Sequence, residues 1–86
     1  MAGNWKMYKN AQETSAFFDK FKPLVAESTH CNIVICPTFV NLPAAIEATN
    51  GTRIGVGAQN VYWMKEGAYT GEISGPMLKA VGAEWV

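Results

Sequence analysis

Asn32-Ile33-Val34-Ile35-Cys36-Pro37 is the stretch of this 86-residue sequence that decides the class of fold. Its apolar, β-branched run does not alternate with polar residues, which predicts a strand buried on both faces, as in a parallel sheet. Arg53-Ile54-Gly55-Val56-Gly57-Ala58 is a second such run, and its two glycines share one face, so we expect a close neighbour there. Ala83-Glu84-Trp85-Val86 resembles the start of a third strand.

Helical patterns separate these strands. Asn10 followed by Glu13 is typical of a capping box at a helix start. Apolar residues then recur on one helical face: Phe17, Phe21 and Leu24 or Val25. Pro23 predicts a kink or an early end of this helix near Phe21, because proline removes one backbone donor and clashes one turn back.

Two further helices are predicted. One runs from Leu42 to Thr49 with Asn41 at the cap position, and the other from Pro76 to Val81, with Ser74 as its cap and Gly82 as its stop. Strands and helices therefore alternate every ~22 to 26 residues, which predicts consecutive right-handed βαβ units. This periodicity fits a doubly wound sheet and a barrel equally well.

The composition excludes several classes of function. The formal net charge is zero, so we expect no nucleic-acid partner and no attraction to an anionic membrane. No apolar run approaches the ~20 residues of a membrane span. No signal peptide is visible at the start, and Cys31 and Cys36 are expected to be reduced thiols of a cytoplasmic protein. With His30 as the single histidine, no zinc site is expected.

Asn4 and Lys6 are the candidate site residues by position. A lysine just past a strand end lies at the edge of a parallel sheet where anions bind, and its ammonium group suits a phosphate or a developing oxyanion. The amide of Asn4 is placed to orient the lysine. The triplet is common, however, and a solvated lysine is the alternative reading. His30 precedes a strand, at the opposite end of the sheet from Lys6, and is expected to lie on the surface.

Several segments, in order along the chain, are similar to motifs of the triosephosphate isomerase family. The matching segments are Gly3-Asn4-Trp5-Lys6-Met7, Cys36-Pro37, Gly57-Ala58-Gln59-Asn60, Gly67-Ala68-Tyr69-Thr70-Gly71-Glu72-Ile73-Ser74 and Gly82-Ala83-Glu84-Trp85-Val86. The resemblance implies an α/β fold, part of a (β/α)8 TIM barrel with about the first three βα units and the start of the fourth strand. Residues 1–86 would be the amino-terminal fragment of a single barrel domain.

The resemblance also implies a reaction and a partner. The family interconverts dihydroxyacetone phosphate and glyceraldehyde 3-phosphate through an enediolate, without cofactor or metal, in glycolysis and gluconeogenesis. Asn4 and Lys6 would bind this small phosphorylated triose. Family members are homodimers, and Thr70 would approach the partner's Asn4. The implied interface residues are Met7, Gln59, Asn60, Tyr69, Thr70, Gly71 and Glu72.

Two departures from the family pattern shape the functional expectation. Only Met1 and Ala2 precede the first motif, and the chain stops at Val86, before the expected catalytic histidine and glutamate. The 86-residue chain alone is therefore expected to be inactive, partly folded and prone to associate. One alternative is a non-catalytic barrel segment that acts as an assembly or complementation module. Another is a phosphate-binding protein of the flavodoxin-like class, which leaves the match at residues 67–74 unexplained.

Overall fold

The computed structural model describes residues 1–26 and 32–86. The expectations for His30 and Cys31 lie outside these described residues. The elements, in chain order, are β1 (Ala2–Asn4), α1 (Ala11–Val25), β2 (Ile33–Cys36), α2 (Leu42–Thr49), β3 (Ile54–Val56) and α3 (Gly75–Val81), with a 3-10 turn at Phe39–Asn41 directly before α2.

The sheet is parallel and its strands lie in the order β1-β2-β3. Val34 pairs with Ala2 on one side and with Gly55 on the other. Trp85 forms an isolated parallel bridge with Gly57, so the start of the next strand lies beside β3. A flavodoxin-like sheet has its first strand between the second and the third. Here β2 lies between β1 and β3, which excludes that alternative, and the sequential order fits part of a TIM barrel.

The two faces of the sheet have different surroundings. Ile33 and Ile35 of β2 are buried against the helices, together with Ile54 and Val56 of β3. The other face is less covered, since Val34 and Cys36 are only half-buried. Among the described strands, the prediction of burial on both faces of the sheet is therefore confirmed for the face toward the helices only.

The close approach expected at the β3 glycines is confirmed. A Cβ atom built on Gly55 would lie 2.8 Å from Nε1 of Trp85, and one built on Gly57 would lie 2.9 Å from the Cβ of Trp85. Two glycines at a spacing of two residues leave the room in which the tryptophan side chain crosses the strand.

Helix α1 begins as the sequence predicts and ends later. The Asn10 side chain accepts a hydrogen bond from the Glu13 N–H, and the Glu13 carboxylate accepts one from the Asn10 N–H. The predicted end near Phe21 is wrong, because the helix continues through Pro23 to Val25. Pro23 lies in the last turn, where it removes one helical bond, and Val25 packs against the core and favours continuation.

The buried face of α1 differs from the predicted stripe by one position. Phe18 is fully buried and Thr14 lies on the same side, whereas Phe17 and Phe21 are half-buried at the margin of the core. Leu24 is 80% exposed, so Val25 and not Leu24 completes the apolar face.

Helices α2 and α3 confirm the predicted bounds to within one residue. Helix α2 spans Leu42–Thr49 with Asn41 at the N-cap position. The Ser74 side chain caps α3, and Gly82 ends it with φ of 108°. No helix within residues 1–26 and 32–86 has the length and apolar character that a membrane crossing requires.

Candidate functional site

The site is built on the carboxyl end of β1. Asn4 is the last residue of this strand, and Lys6 follows two residues later with φ of 55°. The Lys6 N–H donates to Oδ1 of Asn4 at 2.9 Å. The predicted role of the Asn4 amide is to orient the lysine, and its contact is with the lysine main chain. The left-handed conformation is disfavoured for a residue with a β-carbon, and this bond helps to hold it.

The carboxyl ends of β2 and β3 meet the same loop. Nε2 of Gln59, just past β3, donates to the carbonyl of Lys6 at 2.7 Å and to the carbonyl of Cys36 at 2.9 Å. The Trp5 N–H donates to the same Cys36 carbonyl at 3.1 Å. The ends of three neighbouring strands are therefore joined around the main chain of Lys6.

A second left-handed residue, Lys9, lies near the end of the β1–α1 loop, which we define as residues 5–10. Its φ is 74°, and its carbonyl accepts a hydrogen bond from Nδ2 of Asn41 at 2.7 Å. The Lys9 ammonium group lies 5.5 Å from the ring centroid of Trp5 and 5.8 Å from that of Phe17. These two rings contact each other edge to face at 5.0 Å. Cation–π contacts of Lys9 with Trp5 and Phe17 therefore stabilise the packing of the loop against α1.

An open groove of about 410 Å3 lies beside Asn4 and is lined also by Trp5, Tyr8, Lys9 and Glu13. The Glu13 carboxylate is already engaged, since its Oε1 accepts the Asn10 N–H at 3.0 Å. The groove therefore has an amide, a cation and two aromatic side chains beside a carboxylate occupied as a helix cap. This chemistry suits an anionic or hydroxylated small molecule better than a proton transfer.

Cys36 also lies at this edge of the sheet, in register with Asn4. It is a free thiol, and burial raises its pKa above the ordinary thiol value. The thiol therefore stays protonated at neutral pH, which makes it a poor nucleophile and metal ligand. Within the described residues, no group of three or more His, Cys, Asp or Glu side chains is arranged to hold a metal ion.

The remaining candidate residues lie mostly on the β3–α3 loop, residues 57–74. Tyr69 to Glu72 form a turn closed by a hydrogen bond from the Glu72 N–H to the Tyr69 carbonyl at 3.0 Å. Gly71 has φ of 86° in this turn, and the rings of Tyr69 and Tyr62 have centroids 4.7 Å apart. Thr70 is exposed at its tip.

The Asn60 side chain makes a hydrogen bond within the chain, and the Met7 side chain is exposed. Oδ1 of Asn60 accepts the Val61 N–H at 2.8 Å, whereas the Met7 side chain is 89% exposed and lies on the β1–α1 loop. The structure therefore brings together Asn4, Lys6 and Gln59, and it leaves the other candidates on exposed loop surfaces.

Sequence reasoning missed Asn41 as a residue of this region. The sequence predicts Asn41 only as a helix cap, but its side chain makes no capping bond and reaches the β1–α1 loop instead. Because the two partners are 32 residues apart, no local pattern could have revealed the contact.

Comparison with known proteins places these features in a family. The family model described as triosephosphate isomerase matches residues 1–86. A triosephosphate isomerase from Solibacter usitatus is 67% identical over 86 residues, and those from Clostridium botulinum (strain Loch Maree) and Moorella thermoacetica are 48% and 42% identical.

Each match covers the whole of this chain and 34% of the relative. The chain therefore spans about a third of the length of the curated relatives it matches, at their amino-terminal end.

Proposed function

The chain belongs to the triosephosphate isomerase family, and we propose that it supplies the substrate-binding edge of an isomerase that interconverts dihydroxyacetone phosphate and glyceraldehyde 3-phosphate. Residues 1–86 would form about the first three βα units of the barrel and the start of its fourth strand. The substrate is a small phosphorylated triose, and the reaction passes through an enediolate.

Asn4 and Lys6 are the residues that contact this substrate in the proposal. The single observation that carries it is the fixed, left-handed Lys6, held by Asn4 on its N–H and by Gln59 on its carbonyl. A fixed main chain limits the positions that the Lys6 ammonium group can take, so this cation can stabilise charge on the phosphate and on the enediolate with less reorganisation during the reaction. The exposed position of Lys6 leaves its ammonium group accessible to a ligand.

Residues 1–86 lack the proton-transfer groups in this proposal. The family uses a glutamate base and a neutral histidine, which the resemblance assigns to positions outside these residues. Of the carboxylates near Asn4, Glu13 is engaged in the capping box of α1. A binding edge without a proton acceptor lowers no barrier for enolisation, so an 86-residue polypeptide of this sequence is expected to bind anions and to show no turnover.

The β3–α3 loop and Met7 form the homodimer interface in this proposal. The supporting observations are the exposed Met7 side chain and the self-contained turn from Tyr69 to Glu72, which holds Thr70 outward. Asn60 belongs to the same loop surface. Gln59 contributes differently, since its amide hydrogens are donated inside the chain and only its oxygen remains for a partner.

The activity is tested in a chimera, in which residues 1–86 replace the matching third of the Solibacter usitatus relative. We expect the chimera to isomerise glyceraldehyde 3-phosphate in a coupled assay, because the other two-thirds of the relative supplies the proton-transfer groups. Lys6→Met should lower kcat/KM by about a hundredfold to a thousandfold, the effect of removing one group that stabilises developing charge.

Lys79→Met is the matched control, since Lys79 is an exposed lysine near the end of α3. This variant should keep the activity of the unmodified chimera. An inactive but folded chimera, or a Lys6→Met variant as active as Lys79→Met, contradicts the proposed function.

A non-catalytic assembly or complementation module is the second candidate. The half-covered sheet face at Val34 and Cys36, and the exposed Trp85 at the edge of the sheet, favour it, because both would be buried by a complementary segment. Mixing residues 1–86 with the remaining segment of the relative tests it. Restored activity supports complementation, and two species that stay separate in size-exclusion chromatography contradict it.

A further inference from the structure

The β1–α1 loop holds two residues in a backbone conformation that non-glycine residues rarely adopt. Among the described residues, Lys6 and Lys9 are the non-glycine residues with positive φ, at 55° and 74°. Such conformations are strained and persist only where the surroundings hold them. The contacts that hold them are therefore part of how the loop presents Lys6.

Each of these lysines has its carbonyl bonded by a side-chain amide from a distant part of the chain. Gln59 donates to the Lys6 carbonyl from 53 residues away, and Asn41 donates to the Lys9 carbonyl from 32 residues away. The loop is thus tied once to the end of β3 and once to the start of α2.

Of the two amide side chains, Asn41 is the buried one, whereas Gln59 is exposed. Asn41 is fully buried, and its Nδ2 donates to the Lys9 carbonyl at 2.7 Å and to Oγ1 of Thr38 at 2.9 Å. Its Oδ1 is buried and has no hydrogen-bond partner among the described residues. An unsatisfied buried acceptor destabilises the folded state. The side chain therefore has no bond at its oxygen among the described residues, whereas its Nδ2 group binds the Lys9 carbonyl of the loop and the hydroxyl of Thr38.

The position of Asn41 in the chain also indicates that its donors determine its orientation. It occupies the N-cap of α2, where an asparagine oxygen commonly accepts from the first turn of the helix, yet no such bond forms. Reversing the amide would place its oxygen 2.7 Å from the Lys9 carbonyl oxygen, which is repulsive. The donors, and not the oxygen, account for the orientation of this residue.

We propose that Asn41 is a positioning residue for Lys6, acting through the Lys9 carbonyl. The inference rests on the proposed function, because it assumes that Lys6 binds the substrate. Two residues separate Lys6 from Lys9 along the chain. The ammonium group of Lys9 packs over the ring of Trp5, which is the residue before Lys6. A loop released at Lys9 therefore loses one of its supports, and only the direct contacts of Asn4 and Gln59 are left to keep Lys6 in its left-handed conformation.

The test uses the chimera with Asn41→Asp, which keeps the side-chain volume and replaces the NH2 group, with its two donors, by a carboxyl oxygen. We expect KM and the inhibition constant of inorganic phosphate to rise about tenfold while kcat changes less, since displacement of a positioning contact weakens binding. Thr49→Val is the matched control, because Thr49 is buried and its hydroxyl bonds only carbonyls of α2. It should lower the melting temperature and leave KM unchanged.

Two further measurements separate positioning from general destabilisation. In a Lys6→Met background, Asn41→Asp should raise KM no further, because the group it positions is gone. Hydrogen exchange of the Lys6 N–H needs no turnover and should be about tenfold faster in Asn41→Asp but unchanged in Thr49→Val. An inactive unmodified chimera contradicts the proposed function alone. An unchanged exchange rate, or an equal KM in Asn41→Asp and the unmodified chimera, overturns the positioning role.

Discussion

The amide nitrogen of Gln59 lies 2.7 Å from the carbonyl oxygen of Lys6, so the end of β3 holds the main chain of a residue on the loop after β1. The same nitrogen lies 2.9 Å from the carbonyl oxygen of Cys36 at the end of β2. One side chain therefore joins the carboxyl ends of three parallel strands. In α/β folds this edge is where ligands bind, and the bonds explain how a loop can hold a fixed lysine there.

Replacement of Gln59 by leucine tests this connection. Gln59→Leu in the chimera removes both donors, and because the site is exposed, water takes their place. We expect the free energy of unfolding to fall by about 1 kcal/mol and KM to rise. Denaturant unfolding and steady-state kinetics measure the two effects. Gln12→Leu, at an exposed position in the first turn of α1, is the control, and equal changes in KM for both variants would contradict the connection.

A methyl group at Gly57 tests the close packing of Trp85. A Cβ atom there would lie 2.9 Å from the Cβ and 3.3 Å from the main-chain carbon of Trp85, atoms that cannot move without shifting the strand. Gly57→Ala should therefore destabilise the chimera by about 1–3 kcal/mol in thermal or denaturant unfolding. A Cβ atom on Gly75 would meet no atom within 4 Å, so Gly75→Ala should be nearly neutral. A neutral Gly57→Ala would refute the packing.

Asn10→Ala tests the capping box of α1. The substitution removes the acceptor for the Glu13 N–H and leaves the Glu13 carboxylate without its orienting partner. The free energy of unfolding of the chimera should fall by about 1 kcal/mol. Ser15→Ala, at an exposed position inside the same helix, should change stability little. If the two variants unfold at the same denaturant concentration, the capping box does not stabilise the folded protein.

The thiol of Cys36 gives a prediction about pH. Because burial raises its pKa, alkylation by iodoacetamide should be slower than for an unfolded thiol and should reach half its limiting rate at a higher pH than the unfolded thiol does. Peptide mapping of a Cys31→Ser chimera isolates this rate.

The raised pKa of Cys36 also predicts how the free energy of unfolding changes with pH. The unfolded thiol loses its proton first as pH rises, so the contribution of Cys36 to stability is complete below the unfolded pKa and is lost as pH rises through the raised folded value. Comparison with Cys36→Ser isolates the effect. An alkylation profile identical in folded and urea-unfolded protein would contradict both predictions.

The sequence by itself determined the local elements and the family. The Asn10–Glu13 box, the Ser74 cap and the Gly82 stop lie within a few residues of the backbone groups they satisfy, so the pattern that predicts them is complete in a short window. The close approach at Gly55 and Gly57 was also predictable, because alternation along a strand places both residues on one face. The motifs at residues 3–7 and 67–74 indicated the family that the comparisons then confirmed.

The tertiary structure alone decided the strand order, the extent of α1 and the way the loop holds Lys6. Strand order depends on which strands pair, and periodicity does not encode pairing. Phe18 is the fully buried residue of the apolar face of α1, and Val25 packs against the core where Leu24 is exposed, because packing against the core and α2 selects among several apolar residues. The bonds from Gln59 and Asn41 join residues 53 and 32 positions apart. Their partners are main-chain carbonyls, which every residue possesses, so no side-chain pattern in the sequence could identify them.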